Sequence, residues 1–385
     1  MKRVLFDDVF FNVNNTGIAR MWRSIFSEFS LVDLRSKYGI ELLVLNRSNQ
    51  LSSLGFETID FPKYDYQTPA IDRMSIDDVV KDLKVDVFMS SYYTFSTQCN
   101  NLGVVYDMIP EHEGFDKSHR GWIEKKLYIE NMDSFIGISD STCADLVRFY
   151  PSVSGREFTT VHPGVDMKIF YPRSDEETTK FKEIHGLNDF LVFVGSRGGY
   201  KNAELFLESL KFLDSENLDV LFIGGADLAN DELSLANRNG FKLSRLVLDD
   251  DDLAICLSAA DVLVYPSTYE GFGLPPLEAL AVGTAVVTTN SSSLPESVGD
   301  LAKFCDGRSI RDLAYAITQA QSESWQEKVL SEGPKWASNK TWAATARGVA
   351  LALQEMPIKR NSLTLQIHEM TRAYSKKASV LQWKN

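Results

Sequence analysis

The chain has 385 residues, 44% hydrophobic and 24% charged, with 53 acidic against 40 basic side chains and a net charge of −13. That length exceeds one ordinary hydrophobic core and fits two domains of somewhat under about 200 residues each. The acidic balance argues against nonspecific nucleic-acid binding, no apolar run reaches the ~18 residues of a membrane span, and Met1-Lys2-Arg3-Val4-Leu5-Phe6 reads straight into a strand rather than a signal peptide, so a cytoplasmic protein is expected.

Apolar strand-like runs alternate with helical patterns almost throughout, the pattern of parallel sheets covered by helices. In the first half, strands are predicted at 4–6, 42–45, 85–89, 104–106, 135–138 and 159–161. Helices fit 16–29, 121–131 and 141–149, the last introduced by Ser139 and Asp140 as capping residues. Residues 47–84 are less regular. His162-Pro163-Gly164-Val165-Asp166, then Phe170-Tyr171-Pro172 and a charged run over 173–182, breaks the alternation and puts a domain boundary between 170 and 171. Strands resume at 191–194, 220–223, 246–248, 262–265, 285–288 and 302–304, so residues 171–356 read as a second doubly wound α/β sheet. From 357 to 385 the chain is a basic tail, with Lys359, Arg360, Arg372, Lys376, Lys377 and Lys384 against Glu369. The four cysteines lie far apart in apolar contexts and read as reduced buried thiols, and the five histidines form no metal-binding motif.

Ligands of such sheets collect at the carboxyl ends of strands, and each loop of interest follows a strand. After the first strand, Asn14-Asn15-Thr16-Gly17 opens a helix, either as an N-cap with a close-packing glycine or as a substrate loop. Trp22, Ile25, Phe26 and Phe29 have the helical spacing of a core face. At the end of strand 104–106, Asp107 is either a turn cap or a substrate-side acceptor. After strand 191–194 come Gly195-Ser196-Arg197-Gly198-Gly199-Tyr200-Lys201, a glycine loop with two cations, which suits a diphosphate: the backbone approaches the anion, Arg197 grips in a fork and Lys201 adds a point charge. The acids Asp249–Asp252 fit a helix start. After strand 262–265, Glu270-Gly271-Phe272-Gly273-Leu274-Pro275-Pro276-Leu277-Glu278 sets one carboxylate before a glycine loop and another in the first turn of a helix, whose free N–H groups suit a phosphate oxygen. Glu278 can accept from a vicinal diol, and Glu270 can reach the far side of the same ligand.

Glu270 and Glu278, with Ala279-Leu280-Ala281-Val282-Gly283-Thr284-Ala285-Val286-Val287 after them, resemble the Glu-x7-Glu signature of the retaining glycosyltransferases of family 4. These have the GT-B fold, two Rossmann-like domains facing a central cleft. The likeness is best over about 185–305, thinner over the first 170 residues and absent beyond 356. It implies that Glu278 binds the ribose hydroxyls, that Glu270 approaches the donor sugar, and that the backbone of Phe272, Gly273 and Leu274 contacts sugar and phosphate. It implies that Gly195 and Ser196 bind the donor, that Arg197 and Lys201 neutralise the leaving pyrophosphate, that the base is read near Val247, and that 291–296 closes the pocket. Thr16 and Gly17 resemble the N-domain glycine loop that faces the substrates. Tyr106-Asp107-Met108-Ile109-Pro110 is similar to a His-Asp-Leu-Ile-Pro motif, with Tyr106 in the place often held by histidine; a phenol can hydrogen-bond there but is not protonated near neutral pH. Asp107 keeps its place on the acceptor side.

The expectation is therefore a metal-independent hexosyltransferase without cofactor, acting on a nucleoside diphosphate sugar and a glycan or lipid-linked glycan. The wording of the motifs is most like mannosyl- and rhamnosyltransferases of surface polysaccharide assembly, which puts GDP-mannose first as donor. The resemblance implies a front-face route in which the leaving phosphate takes the acceptor proton. A nucleotide-sugar hydrolase or epimerase of the same fold, and a non-catalytic nucleotide-binding subunit, remain alternatives. The tail either packs back on the N-domain or meets anionic lipid as a peripheral membrane contact.

Overall fold

The computed structural model describes residues 1–13, 17–116, 118–213 and 218–358. By its internal contacts the chain divides into two units, Met1–Ile138 with Cys143–Val161 and the chain from Thr345 on, and Ser139–Thr142 with His162–Ala344. Where the sequence suggested 170/171, contacts divide the chain at 161/162, because the segment beginning at His162 docks on its own unit. The Val165 N–H donates to the Lys340 carbonyl at 2.9 Å, and a Cβ on Gly164 would meet the Thr341 carbonyl carbon at 2.2 Å. Only glycine fits that approach. Residues 345–356 count with the first unit: Gly348 lies against Val161, where a Cβ would come within 2.8 Å of Val161 Cγ1.

The first sheet holds β1 (Lys2–Asp7), β2 (Ile40–Asn46), β3 (Glu57–Asp60), β4 (Val87–Ser90), β5 (Asn100–Val105), β6 (Ser134–Gly137) and β7 (Glu157–Thr160), in the order β3-β2-β1-β4-β5-β6-β7. The second holds β8 (Asp189–Val194), β9 (Leu218–Ile223), β10 (Leu243–Leu246), β11 (Val262–Tyr265), β12 (Ala285–Thr289) and β13 (Ala302–Cys305), in the order β10-β9-β8-β11-β12-β13. Every strand pair among the described residues is parallel. Central strands such as β11 are buried on both faces, which is why they read as unbroken apolar runs. Strand order reverses between β1 and β4 and again between β8 and β11, and a crevice for ligands opens at such a switch point.

Helix Gly17–Ser30 buries Trp22, Ile25, Phe26 and Phe29 as its spacing predicts, with the Phe6 ring 4.6 Å from Trp22 and 4.7 Å from Phe26. Three stretches differ from expectation. The strand predicted at 246–248 lies at Leu243–Leu246, because Leu243 pairs with Val220 and is buried while Val247 is 72% exposed. The irregular stretch 47–84 holds β3 and the helix Pro69–Asp82; β3 has only Ile59 half-buried, so it carries no apolar alternation. The charged run after Tyr171 is a helix, Asp175–His185, with a capping box between Ser174 and Glu177.

The helix Trp342–Glu355 is tied to β1 at its end. Lys2 Nζ donates to the carbonyls of Leu353 and Gln354 at 2.7 Å and of Met356 at 2.5 Å, so one ammonium satisfies carbonyl groups a helix end leaves open. Just beyond, Asn100 Nδ2 donates to the Pro357 carbonyl. The remainder of the tail, from 359, and Thr16 lie outside the described residues. All four cysteines are unbridged thiols. Among the described residues no helix is long and apolar enough to cross a membrane.

Candidate active site

The second switch point brings together the loops after β8 and β11. Gly195 leaves β8 with φ +118, a conformation that L side chains rarely adopt, while its N–H donates to the Ile223 carbonyl at 2.9 Å. The loop then makes one helical turn, Gly199–Lys201, and stops at Asn202 with φ 64. Three links sew it to the loop after β11. Thr268 N–H donates to the Tyr200 carbonyl at 2.8 Å, Asn202 Nδ2 donates to the Pro266 carbonyl at 3.2 Å, and Lys201 Nζ lies 2.5 Å from Glu270 Oε1 and 2.7 Å from the Tyr265 hydroxyl. The Lys201 and Glu270 side chains are 13% and 10% exposed, so their pairing is sheltered but open to an entering ligand. Burial, and the Glu270 charge beside it, push the Tyr265 phenol well up, which keeps it a neutral partner for the lysine.

Glu270 is held from behind. Its N–H donates to Ser292 Oγ at 2.8 Å and its carbonyl accepts from Ser293 Oγ at 2.8 Å. Ser292 itself has φ 49. Sequence reasoning gave these serines no chemistry of their own; the signal available was a run of hydroxyls directly after a buried strand. Gly273 has φ +95, and a Cβ there would stand 2.9 Å from Leu294 Cδ2 and 3.2 Å from Ser297 Oγ, so glycine is required by both conformation and space. It caps the helix Leu274–Ala281, with prolines in the first turn. Because that helix begins at Leu274, Glu278 falls just past the first turn rather than within it, and it is 2% exposed.

Arg197 stands differently from expectation. Its Nε is 2.6 Å from Glu232 Oε1, and one Nη donates to the carbonyls of Ala226 and Asp227 at 2.7 Å, so the fork grips the loop after β9 rather than projecting freely. Nη1 is buried and has no hydrogen-bond partner among the described residues. Arg245 holds the same loop through the Gly224 carbonyl at 3.0 Å and the Gly225 carbonyl at 2.6 Å. Ser196 and Val247 are exposed on neighbouring strand-end loops. Asp249 caps the next helix by accepting from the Asp252 N–H at 2.9 Å, the role read for that acidic run.

In the first unit, Tyr106 is a core residue. Its hydroxyl donates to the Ser91 carbonyl and accepts from Trp22 Nε1, both at 2.6 Å, and the side chain is 4% exposed. The donor hydrogen expected to meet substrate is thus committed inside the fold. Asp107 is half-buried and accepts from the Ile109 N–H at 3.0 Å, the geometry of a turn cap. Gly17 is exposed, and a Cβ there would meet nothing within 4 Å, so close packing does not explain the glycine.

The first switch point is filled by an ion network. Arg47 spends all five N–H donors: on Asp7 at 2.7 and 2.9 Å, on Asp72 at 2.7 and 2.9 Å, and on the Pro62 carbonyl at 2.9 Å. Beside it the Asp8 carboxyl, fully buried, accepts from the Arg47 N–H and from Ser48, and burial pushes it up to about 6.

Residues 175–334 match the family model Glycosyl transferases group 1, so this stretch is a group 1 glycosyltransferase domain. O-antigen chain mannosyltransferase B of Escherichia coli is 29% identical over 246 residues, 60% of this chain and 63% of that protein. The serotype-specific mannosyltransferase WbdA of Escherichia coli is 24% identical over 278 residues, 67% of this chain and 34% of that protein. The chain thus spans under two thirds of the length of these curated relatives. Among solved structures, sucrose-phosphate synthase from Thermosynechococcus elongatus superposes with a TM-score of 0.72 at 17% identity, over 92% of this chain and 99% of that one. Anabaena Alr3699/HepE in complex with UDP-glucose does so with a TM-score of 0.71 at 16% identity, over 92% and 100%. Those likenesses show the fold, which is GT-B.

Proposed function

We propose that the chain is a retaining, metal-independent glycosyltransferase that moves a hexose from a nucleoside diphosphate sugar to a hydroxyl of a glycan or lipid-linked glycan, with GDP-mannose as first donor. The observation that carries this reading is the Lys201–Glu270 pair at the second switch point, beside the N-terminus of helix Leu274–Ala281. Lys201 turns to the diphosphate, aided by the positive end of that helix's dipole, and Glu270 is released to hold the donor sugar. Glu278 fixes the ribose, and the backbone of Gly195, Ser196, Phe272, Gly273 and Leu274 lines the phosphate and sugar. Arg197 acts through its shape, holding the loop after β9 in place, with Nη1 left for an anion. Asp107, Thr16 and Gly17 serve the acceptor side, and Tyr106 supports them from the core. The new bond forms on the face the diphosphate leaves, and a phosphate oxygen takes the acceptor's proton.

The mannosyl donor is favoured by the mannosyltransferases among the relatives. Thermal shift against GDP, UDP, ADP and dTDP names the base, since a ligand of the folded state raises the melting temperature. Transfer from the matching sugar nucleotide is then run with EDTA and the first-formed product read by NMR. The expected product keeps the donor's anomeric configuration in the presence of chelator. An inverted product, or activity lost in EDTA and restored by manganese, would overturn the mechanism, and steady donor consumption without acceptor would make the chain a hydrolase.

A further inference from the structure

Behind the donor loop stands a group with no role so far. The imidazole of His162 lies against the ring of Phe272, centroids 5.2 Å apart and planes 29° from parallel. Its Nε2 is 3.0 Å from Glu296 Oε2, and its Nδ1 is 3.3 Å from Lys340 Nζ. Glu296 is itself fixed, accepting from the N–H groups of Asp140 at 2.8 Å and Ser141 at 2.9 Å. Thr142 Oγ1 in turn donates to the Gly271 carbonyl at 3.3 Å. The Lys340 ammonium lies 5.9 Å from the Phe272 ring centroid and 5.2 Å from that of Trp336. Every one of these groups belongs to the second unit.

The hydrogen-bond inventory selects one form of the ring. An ammonium only donates, so Nδ1 must turn a lone pair toward Lys340; a carboxylate only accepts, so Nε2 must carry the proton that goes to Glu296. A ring protonated at Nδ1 would set N–H against N–H at Lys340. Phe272 stands between Gly271 and Gly273, two residues after Glu270. A stacked ring that is itself pinned at both nitrogens gives that loop its back wall.

We propose that His162 is a positioning residue, which as the neutral imidazole protonated at Nε2 holds Phe272 and, through it, the Glu270–Gly273 loop in the geometry that meets the donor. The proposal rests on the reading of that loop as the donor loop. A Gln at this position keeps a donor for Glu296 but no ring; a Phe keeps the ring but neither hydrogen bond.

The test uses the full chain and three measurements. Nitrogen-15 NMR of the histidine rings at pH 7.5 should show His162 neutral with its proton on Nε2. Hydrogen exchange of the amides at 270–273 should speed up by about tenfold or more in H162F and less in H162Q, with protection elsewhere unchanged. With the donor found by thermal shift, kcat should fall about tenfold or more in H162F with a smaller change in donor KM, and H162Q should recover part of it, because misplacing a catalytic carboxylate slows the chemical step. A proton on Nδ1, a doubly protonated ring at pH 7.5, or wild-type exchange at 270–273 in H162F would overturn the proposal. If H162F does not fold, the tautomer and the H162Q exchange decide. A chain that shows the tautomer and the loosened loop but binds no nucleoside diphosphate would sink the donor reading while leaving His162's hold on the loop intact.

Discussion

Two arrangements of the same kind of crevice sit in this chain. Where the first sheet reverses, Arg47 and its two aspartates are closed on each other, the guanidinium and the Asp7 carboxylate having no exposed surface at all. Where the second sheet reverses, Lys201 has a phenol and one carboxylate as partners at the site, and both charged groups keep an edge open to solvent. Topology offers a ligand site at both places. What separates them is whether the charges are already fully spent. A guanidinium with every donor bonded can only hold the fold together, whereas a lysine paired with a single acid can exchange that acid for a phosphate.

The comparison can be broken most severely at Arg47. Arg47→Ala removes the guanidinium that lies between Asp7 and Asp72, and should cost about 3–5 kcal/mol in urea unfolding. If stability hardly moved, the first switch point would have to be reopened as a ligand site. Lys201→Ala is the matching change in the second sheet. Turnover should drop about 10²–10³-fold, as for loss of one preorganised charge-stabilising donor, with a melting temperature close to wild type; a large fall in melting temperature with turnover per folded molecule retained would make the two switch points alike.

Acidity sharpens the contrast further. The Asp8 carboxyl, with an ordinary value of 3.8, is pushed up to about 6 by burial, so the folded chain keeps a proton that the unfolded chain has released. Its contribution is therefore full below about pH 4 and is lost as pH rises through about 6, a decline of at most about 3 kcal/mol. Asp8→Asn should flatten that part of the stability curve, and an unaltered curve would show that the first crevice is not the source. The smallest expected effect lies within the second crevice. Glu278→Gln should weaken nucleotide binding by about 1–3 kcal/mol in calorimetry, while Glu270→Gln lowers turnover and leaves affinity nearer to wild type. Equal losses of affinity in both would end the division of labour between the two carboxylates.

What could be read from the residues alone follows from how local each signal is. β11 and the glutamates behind it are a strand, a turn and a helix start within one short stretch, so apolar runs, glycines and prolines reveal them directly. β3 has nearly all its side chains in solvent and leaves no alternation to read. The fate of Arg197 depends on Glu232 and the carbonyls of 226 and 227, on other strands' loops, and no spacing rule points to them. Tyr106 was legible as a departure from a motif but not as a core residue, because its hydroxyl partners Trp22 and Ser91 come from elsewhere in the chain. Arg47 sits in the least periodic region of all, and its role appears only once β1 and β2 lie side by side.

The hold of Lys2 on Leu353, Gln354 and Met356 has a consequence for the order in which the chain can be completed as it is made. Domains of most proteins fold in sequence as they leave the ribosome, the earlier one first. Here β1 emerges early, yet the carbonyls its lysine binds are synthesised only after the whole of His162–Ala344 has appeared. The second unit can therefore close while translation continues. The half that begins the chain waits, with Lys2 still in water, until the last turn of that helix returns to it.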